Sequence, residues 1–158
     1  MKFIKRKSIK SKYHLSLDDG QSVQGVFVGD PVAFEYQGKN DEDSKFRFMA
    51  NFILKENGAM TCKIVETGWL LYKAMEEMND EFNLEKHRVK VKREGVKMET
   101  RWSLMPVKSG ELSKAELMML KKIDLHDLKA MVELRKGCTV LDLGETAGDT
   151  STEEGPAW

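Results

Sequence analysis

The chain has 158 residues, 41% hydrophobic and 33% charged, with 26 basic and 26 acidic side chains that cancel. That length allows one domain of about 110–130 residues with its own core, and no apolar run approaches the roughly 18 residues needed to span a bilayer. Cys62 and Cys138 are isolated thiols without a CxxC pair, far in sequence from His14, His87 and His126, so no metal site is expected and no cofactor is implied.

Net neutrality hides a division. Residues 1–138 carry all 26 basic side chains but only 21 acidic ones, whereas 142–158 hold five carboxylates, no Lys or Arg, and a terminal Trp158. A body at +5 joined to a Gly/Ser/Thr-rich segment at −5 suits a protein that binds a polyanion and covers its own site when empty. A solubilising terminus is the plainer reading of the same residues. The start carries charge without an apolar stretch behind it, so no signal peptide and a cytoplasmic location are expected.

In chain order, residues 1–12 contain Lys2, Lys5, Arg6, Lys7, Lys10 and Lys12 without an acid, an arm able to lie along phosphates or simply a solvated terminus. A short strand is expected at 13–17, ending at the Asp18-Asp19-Gly20 turn. Residues 21–36 alternate as a long strand interrupted at Gly29-Asp30-Pro31, as a bulge would do. A polar loop, 37–44, follows. From 45 to 54, Phe46, Phe48, Ala50, Phe52 and Leu54 share one face, with Lys45, Arg47, Met49, Asn51 and Ile53 on the other. Glu56-Asn57-Gly58 supplies a tight hairpin turn, and 60–66 returns as the partner strand.

The period then changes. Leu71, Met75, Met78 and Phe82 form one stripe of an amphipathic helix over 67–82. Residues 88–93 alternate again with Val89 and Val91 inward, Glu94-Gly95 turns the chain, and a strand over 96–107 is expected to end at Pro106. Ser113 and Glu116 form a capping-box pattern before a helix; Asp124 is the expected cap of a second one, and Gly137 its stop. These helices are expected to pack on the barrel or against a second copy of the chain.

Three antiparallel strands, a helix and two further strands is the order of the oligonucleotide-binding barrel, a five-stranded Greek key with its helix between strands three and four. The expected fold is therefore mainly β: a basic arm at 1–12, a barrel domain at 13–137 with a helical extension from about 111, and an acidic tail at 138–158. Such barrels bind single strands by combining a cationic groove with rings on which bases stack. Eight basic residues lie between Lys86 and Lys108, and aromatic and basic residues interleave in Lys45-Phe46-Arg47-Phe48 and Arg101-Trp102. The candidate strand-binding residues are Tyr36, Lys45, Arg47, Phe48, Arg88, Lys90, Lys92, Arg93, Lys97, Arg101 and Trp102. Phe46, Phe48 and Phe52 share a parity and read first as core, while Tyr36 and Trp102 stand open between core and stacking.

With Asn51-Phe52-Ile53, Lys63-Ile64, Gly68, Val89-Lys90-Val91 and Thr100-Arg101-Trp102 in the same order, the chain resembles the phage-encoded single-stranded DNA-binding proteins of oligonucleotide-binding-barrel type over roughly 20–130. The resemblance implies a non-catalytic protein serving DNA replication, recombination or repair. It further implies a tail, here Asp149, Glu153, Glu154 and Trp158, that recruits partner enzymes and competes with DNA. Two departures qualify it: the final residue is Trp where related tails often carry Phe, and Gly155-Pro156-Ala157 separates it from the carboxylates. The other readings are an RNA-binding barrel and a protein-interaction adaptor working through the helices at 113–136. Catalysis has little support, because no nucleophile sits beside a base and no Gly-rich phosphate loop occurs.

Overall fold

The computed structural model describes residues 12–37 and 44–141. Within them the chain forms β1 (Ser22–Tyr36), β2 (Lys45–Glu56), β3 (Ala59–Thr67), α1 (Trp69–Glu81), β4 (His87–Glu94), β5 (Arg101–Glu111), α2 (Lys114–Lys121), α3 (Leu128–Glu133) and β6 (Cys138–Val140). The strands make one antiparallel sheet in the order β3-β2-β1-β4-β5, with β6 joined to β1. Strand β1 is long enough to serve two partners, pairing Gly25 with both Leu54 of β2 and Val89 of β4. At that crossing a Cβ on Gly25 would lie 2.4 Å from the Ile53 carbonyl oxygen and 2.6 Å from the Phe52 ring, so only glycine fits. The ladder to β2 shifts register between Val28 and Val32, the expected bulge, where Gly29 takes φ +80°. Asn57 and Gly58, both at positive φ, close the β2–β3 hairpin as their residue types predict.

Strand β2 is buried on both faces, contrary to the expected one-sided alternation. Its even residues Phe48, Ala50, Phe52 and Leu54 join Leu71 and Met75 of α1 with Val89 and Val91 of β4. Phe46 meets the Trp69 and Tyr72 rings edge-on at 5.2 Å, so the two aromatics opening α1 pack on the sheet. Its odd residues lie under the C-terminal helices: Met49 with Phe34, Ile64, Leu128 and Val132, and Ile53 with Val26, Leu112 and Leu120. Periodicity missed this because the covering residues come from more than 60 positions away.

Asn51 is the one buried polar side chain among the described residues. Its amide exchanges two hydrogen bonds with the main chain of His126, Nδ2 donating to the His126 carbonyl and Oδ1 accepting from the His126 N–H, each at 3.1 Å. The His126 ring then donates from Nε2 to the Cys62 carbonyl at 3.0 Å. The α2–α3 connection is thus pinned to the sheet by a side chain that imitates a neighbouring strand.

Several boundaries differ from expectation. Residues 13–17 form no strand; His14 makes a single parallel bridge to Ile64, with Leu15 N–H bonded to the Ile64 carbonyl at 2.8 Å and Ile64 N–H to the Tyr13 carbonyl at 2.7 Å. The segment continues as a strap to β4, where Arg93 donates to the Leu17 carbonyl and Gly20 N–H to the Arg93 carbonyl. Pro106 does not end β5: it faces Val89 beside a register irregularity on an edge strand, where a missing N–H is tolerated. Ser113 and Glu116 form the full capping box, but the second cap is Asp127, which accepts from Ala130 N–H at 3.1 Å, not Asp124. Cys138–Val140, assigned to the tail by composition, is strand β6, paired with Phe34–Tyr36.

Replacing Asn51 by Ala removes both partners from the half-buried N–H and C=O of His126, so Asn51→Ala should cost about 1–3 kcal/mol in urea unfolding. A loss under about 0.5 kcal/mol would mean that apolar contacts alone hold the helices.

Candidate nucleic-acid interface

Tyr36 and Lys45 face each other across the ends of β1 and β2, and Phe34 faces Arg47 two pairs further in, on the same face. On the next strand Glu66 pairs with Met49, which brings its carboxylate to the same face as Arg47. The turn after α3 adds Arg135 and Lys136, and the strap adds His14. These segments, with Arg93, Thr100 and Trp102 from the β4–β5 hairpin, line two adjoining clefts of about 480 and 600 Å³ that share Arg47, Glu66 and Arg135.

Glu66 is the ionic centre. Arg135 grips it with both terminal nitrogens at 2.7 and 2.8 Å, His14 Nε2 donates to it at 2.9 Å, and Arg47 Nε lies 3.5 Å away. Burial drives its carboxyl upward, but the hydrogen bonds from Arg135 and His14 and the charges of Arg135 and Arg47 outweigh that, holding it below its ordinary value. Arg93 sends Nη1 to the Leu17 carbonyl at 2.5 Å, while its Nε has no partner. His14 Nδ1 is likewise unpartnered, and these are the two such buried side-chain atoms among the described residues; both belong to residues lining the 480 Å³ cleft.

The expected residues divide. Tyr36, Lys45, Arg47, Arg93 and Trp102 line the two clefts. Tyr36 keeps 39% of its surface exposed, whereas Trp102 is half-buried against the core. Phe48 is fully buried between β2 and α1, so it is withdrawn from the expected stacking platform: its parity belongs to the core. Lys90 and Lys92 project from the side of β4 opposite Val89 and Val91, across from Gln24 and Ser22. Arg88, on that side too, donates to Glu116 at 2.6 Å on the rim of a third, apolar cleft of about 510 Å³ beneath α2. Lys97 sits in the hairpin tip at φ +53°, and the exposed Arg101 lies across from Glu94. Of the candidate strand-binding residues, Arg47 thus lines the two clefts while Lys90 and Arg101 lie outside them, so these three cations do not share one groove.

Sequence reasoning missed His14, Glu66, Arg135 and Lys136. No local pattern marks them, because they meet only through the strap and the end of α3; the Arg135-Lys136-Gly137 helix stop was the available signal. The arm at 1–11 and the tail residues Asp149, Glu153, Glu154 and Trp158 lie outside the described residues. Among the described residues no cluster of His, Cys, Asp and Glu is placed to hold a metal ion, and no helix is long and apolar enough to cross a membrane.

Because the folded Glu66 carboxyl lies below its unfolded value of about 4.3, its stabilisation is complete above that pH and is lost as pH falls through the folded pKa. Urea unfolding from pH 7 to pH 3 should show a steeper acid loss for the natural protein than for Glu66→Gln. Parallel acid limbs would show that the cluster contributes no linkage.

No protein-family model matches this chain, and neither curated proteins nor solved structures include a significant match to it.

Proposed function

We propose that this chain is a non-catalytic, sequence-independent single-stranded DNA-binding protein of oligonucleotide-binding-barrel type. The carrying observation is the pair of adjoining clefts lined by Lys45, Arg47, Arg93, Arg135 and Lys136 and by a single carboxylate, Glu66, with the Tyr36 and Trp102 rings alongside. Cations at that density attract phosphates, and each ring offers a face to a base. A strand order of β3-β2-β1-β4-β5 with α1 between β3 and β4 supports the barrel assignment, since that is the order of the five-stranded Greek key.

On this reading the protein coats single strands during replication, recombination or repair, in the cytoplasm of an infected bacterial host if phage-encoded. The acidic segment at 142–158 recruits partner enzymes through Asp149, Glu153, Glu154 and Trp158 and competes for the cationic clefts. The hairpin cations Lys97 and Arg101, with Lys90 and Lys92, extend the positive surface beyond the clefts. An RNA-binding role uses the same surface and differs in recognising the 2′-hydroxyl; competition between matched deoxy- and ribo-oligonucleotides separates the two. The adaptor reading draws on Met118, Met119 and Leu134, which remain 63%, 52% and 87% exposed on or beside α2 and α3. It requires binding to a protein partner with no affinity for any polynucleotide.

Anisotropy titrations of labelled oligo(dT) at several salt concentrations test the proposal. Affinity should fall with salt at a log–log slope of about −0.7 per phosphate neutralised. Arg47→Ala should flatten that slope by about one phosphate, and Trp102→Ala should weaken binding roughly tenfold with the slope unchanged, in line with about 1–3 kcal/mol per stacked base. Micromolar or weaker binding with a flat salt response would remove the reading. Deleting residues 142–158 should tighten binding; unchanged affinity would remove the competition by the tail alone.

A further inference from the structure

The cluster brings more hydrogen-bond donors to Glu66 than one carboxylate needs. Arg135 alone satisfies Glu66 with a two-pronged contact at 2.7 and 2.8 Å, yet Arg47 and His14 converge on the same group from β2 and the strap. The exposures are ordered. The Glu66 side chain is 12% exposed and lies beneath, while those of Arg47 and Arg135 are 40% and 37% exposed and open to the clefts. A guanidinium fork meets two phosphate oxygens in the same geometry that it uses for a carboxylate. The Arg135 fork, flanked by Arg47 and by the Nε2–H of His14, all aimed at one carboxylate, thus has the shape of an anion seat that is filled from within.

We propose that Glu66 is an internal anion standing in a phosphate seat formed by Arg47, Arg135 and His14, and that a backbone phosphate of the bound strand displaces it. This rests on the strand-binding reading above and concerns the control of that same site. In the exchange Arg135 trades one anion for another, while the Glu66 carboxylate loses its partner and takes up a proton or turns toward solvent. The effect of the exchange is to lower resting affinity and to favour a chain of closely spaced phosphates over an isolated anion, because displacement by one phosphate gains only what the departing carboxylate gives up. The competing account makes Glu66 a plain fastener that joins the strap, β3 and the end of α3. The two accounts differ in sign: removing an internal competitor tightens binding, whereas removing a fastener leaves it unchanged or weakens it.

The test compares labelled oligo(dT) binding by the natural protein, Glu66→Gln, and Glu77→Gln, which removes the same charge on α1 where Glu77 faces only Lys73 at 4.0 Å. Glu66→Gln should bind roughly tenfold tighter with a slope steeper by about 0.7–1.4, the signature of one or two further phosphates neutralised. Glu77→Gln should change affinity less than twofold at an unchanged slope. A second measurement needs no variant: carbon-detected NMR titration of the Glu66 carboxyl should move to higher pH when oligo(dT) saturates the protein, because Arg135 has left it. Equal behaviour of the two variants, or an unmoved Glu66 titration in the saturated protein, overturns the displacement while leaving strand binding intact. Absence of binding by all three proteins overturns the strand-binding reading, and the displacement with it.

Discussion

A strand buried on both faces has to be covered twice, and that requirement at β2 organises the molecule. One cover is local: α1 follows β3 directly and lays Leu71 and Met75 over Phe48 and Phe52. The other must be brought back from the far end of the domain, and α2 and α3 supply it with Leu120, Leu128 and Val132. Apolar burial has no direction, so it fills the space without fixing the angle of the helices. Direction comes from Asn51, whose amide both donates and accepts, and one stretch of main chain, at His126, meets it on both counts.

The candidate surface inherits its composition from that second cover. Since α3 is held on β2 and β3, the turn that ends it delivers Arg135 to Glu66 and leaves Lys136 beside Tyr36 and Lys45. Strand β6 then pairs with the last residues of β1, extending the edge on which Tyr36 sits. Charge gathered at this end of the sheet therefore depends on packing at its middle.

Features set by neighbours along the chain were legible in the sequence. Asn57-Gly58 specified its turn, Ser113 with Glu116 specified a helix start, and Gly29-Asp30-Pro31 marked the bulge of β1. Each is governed by backbone strain or by a hydrogen bond spanning three residues. What escaped notice involved distant partners. The odd residues of β2 look solvent-facing until α2 and α3 return, and Cys138–Val140 looks like tail until β1 offers an edge. Of the candidate site, the cations and rings of β1, β2 and the β4–β5 hairpin were recognisable by type, whereas Glu66 gains its role only when three chain segments meet.

The strap at 13–17 has a dynamic consequence. It bridges β3 and the end of β4, two strands with no ladder of their own, through main-chain hydrogen bonds with Ile64 and a bond from the Arg93 guanidinium to the Leu17 carbonyl. Leu17 anchors its far end in the main core, while its first residues, Tyr13 and His14, rest on β3 through short-range contacts that open at lower free energy than the doubly covered strand behind them. One wall of the 480 Å³ cleft can thus breathe while the sheet stays intact, and in deuterium exchange the Leu15 and Ile64 amides form a fast-labelling seam along a slow-labelling core.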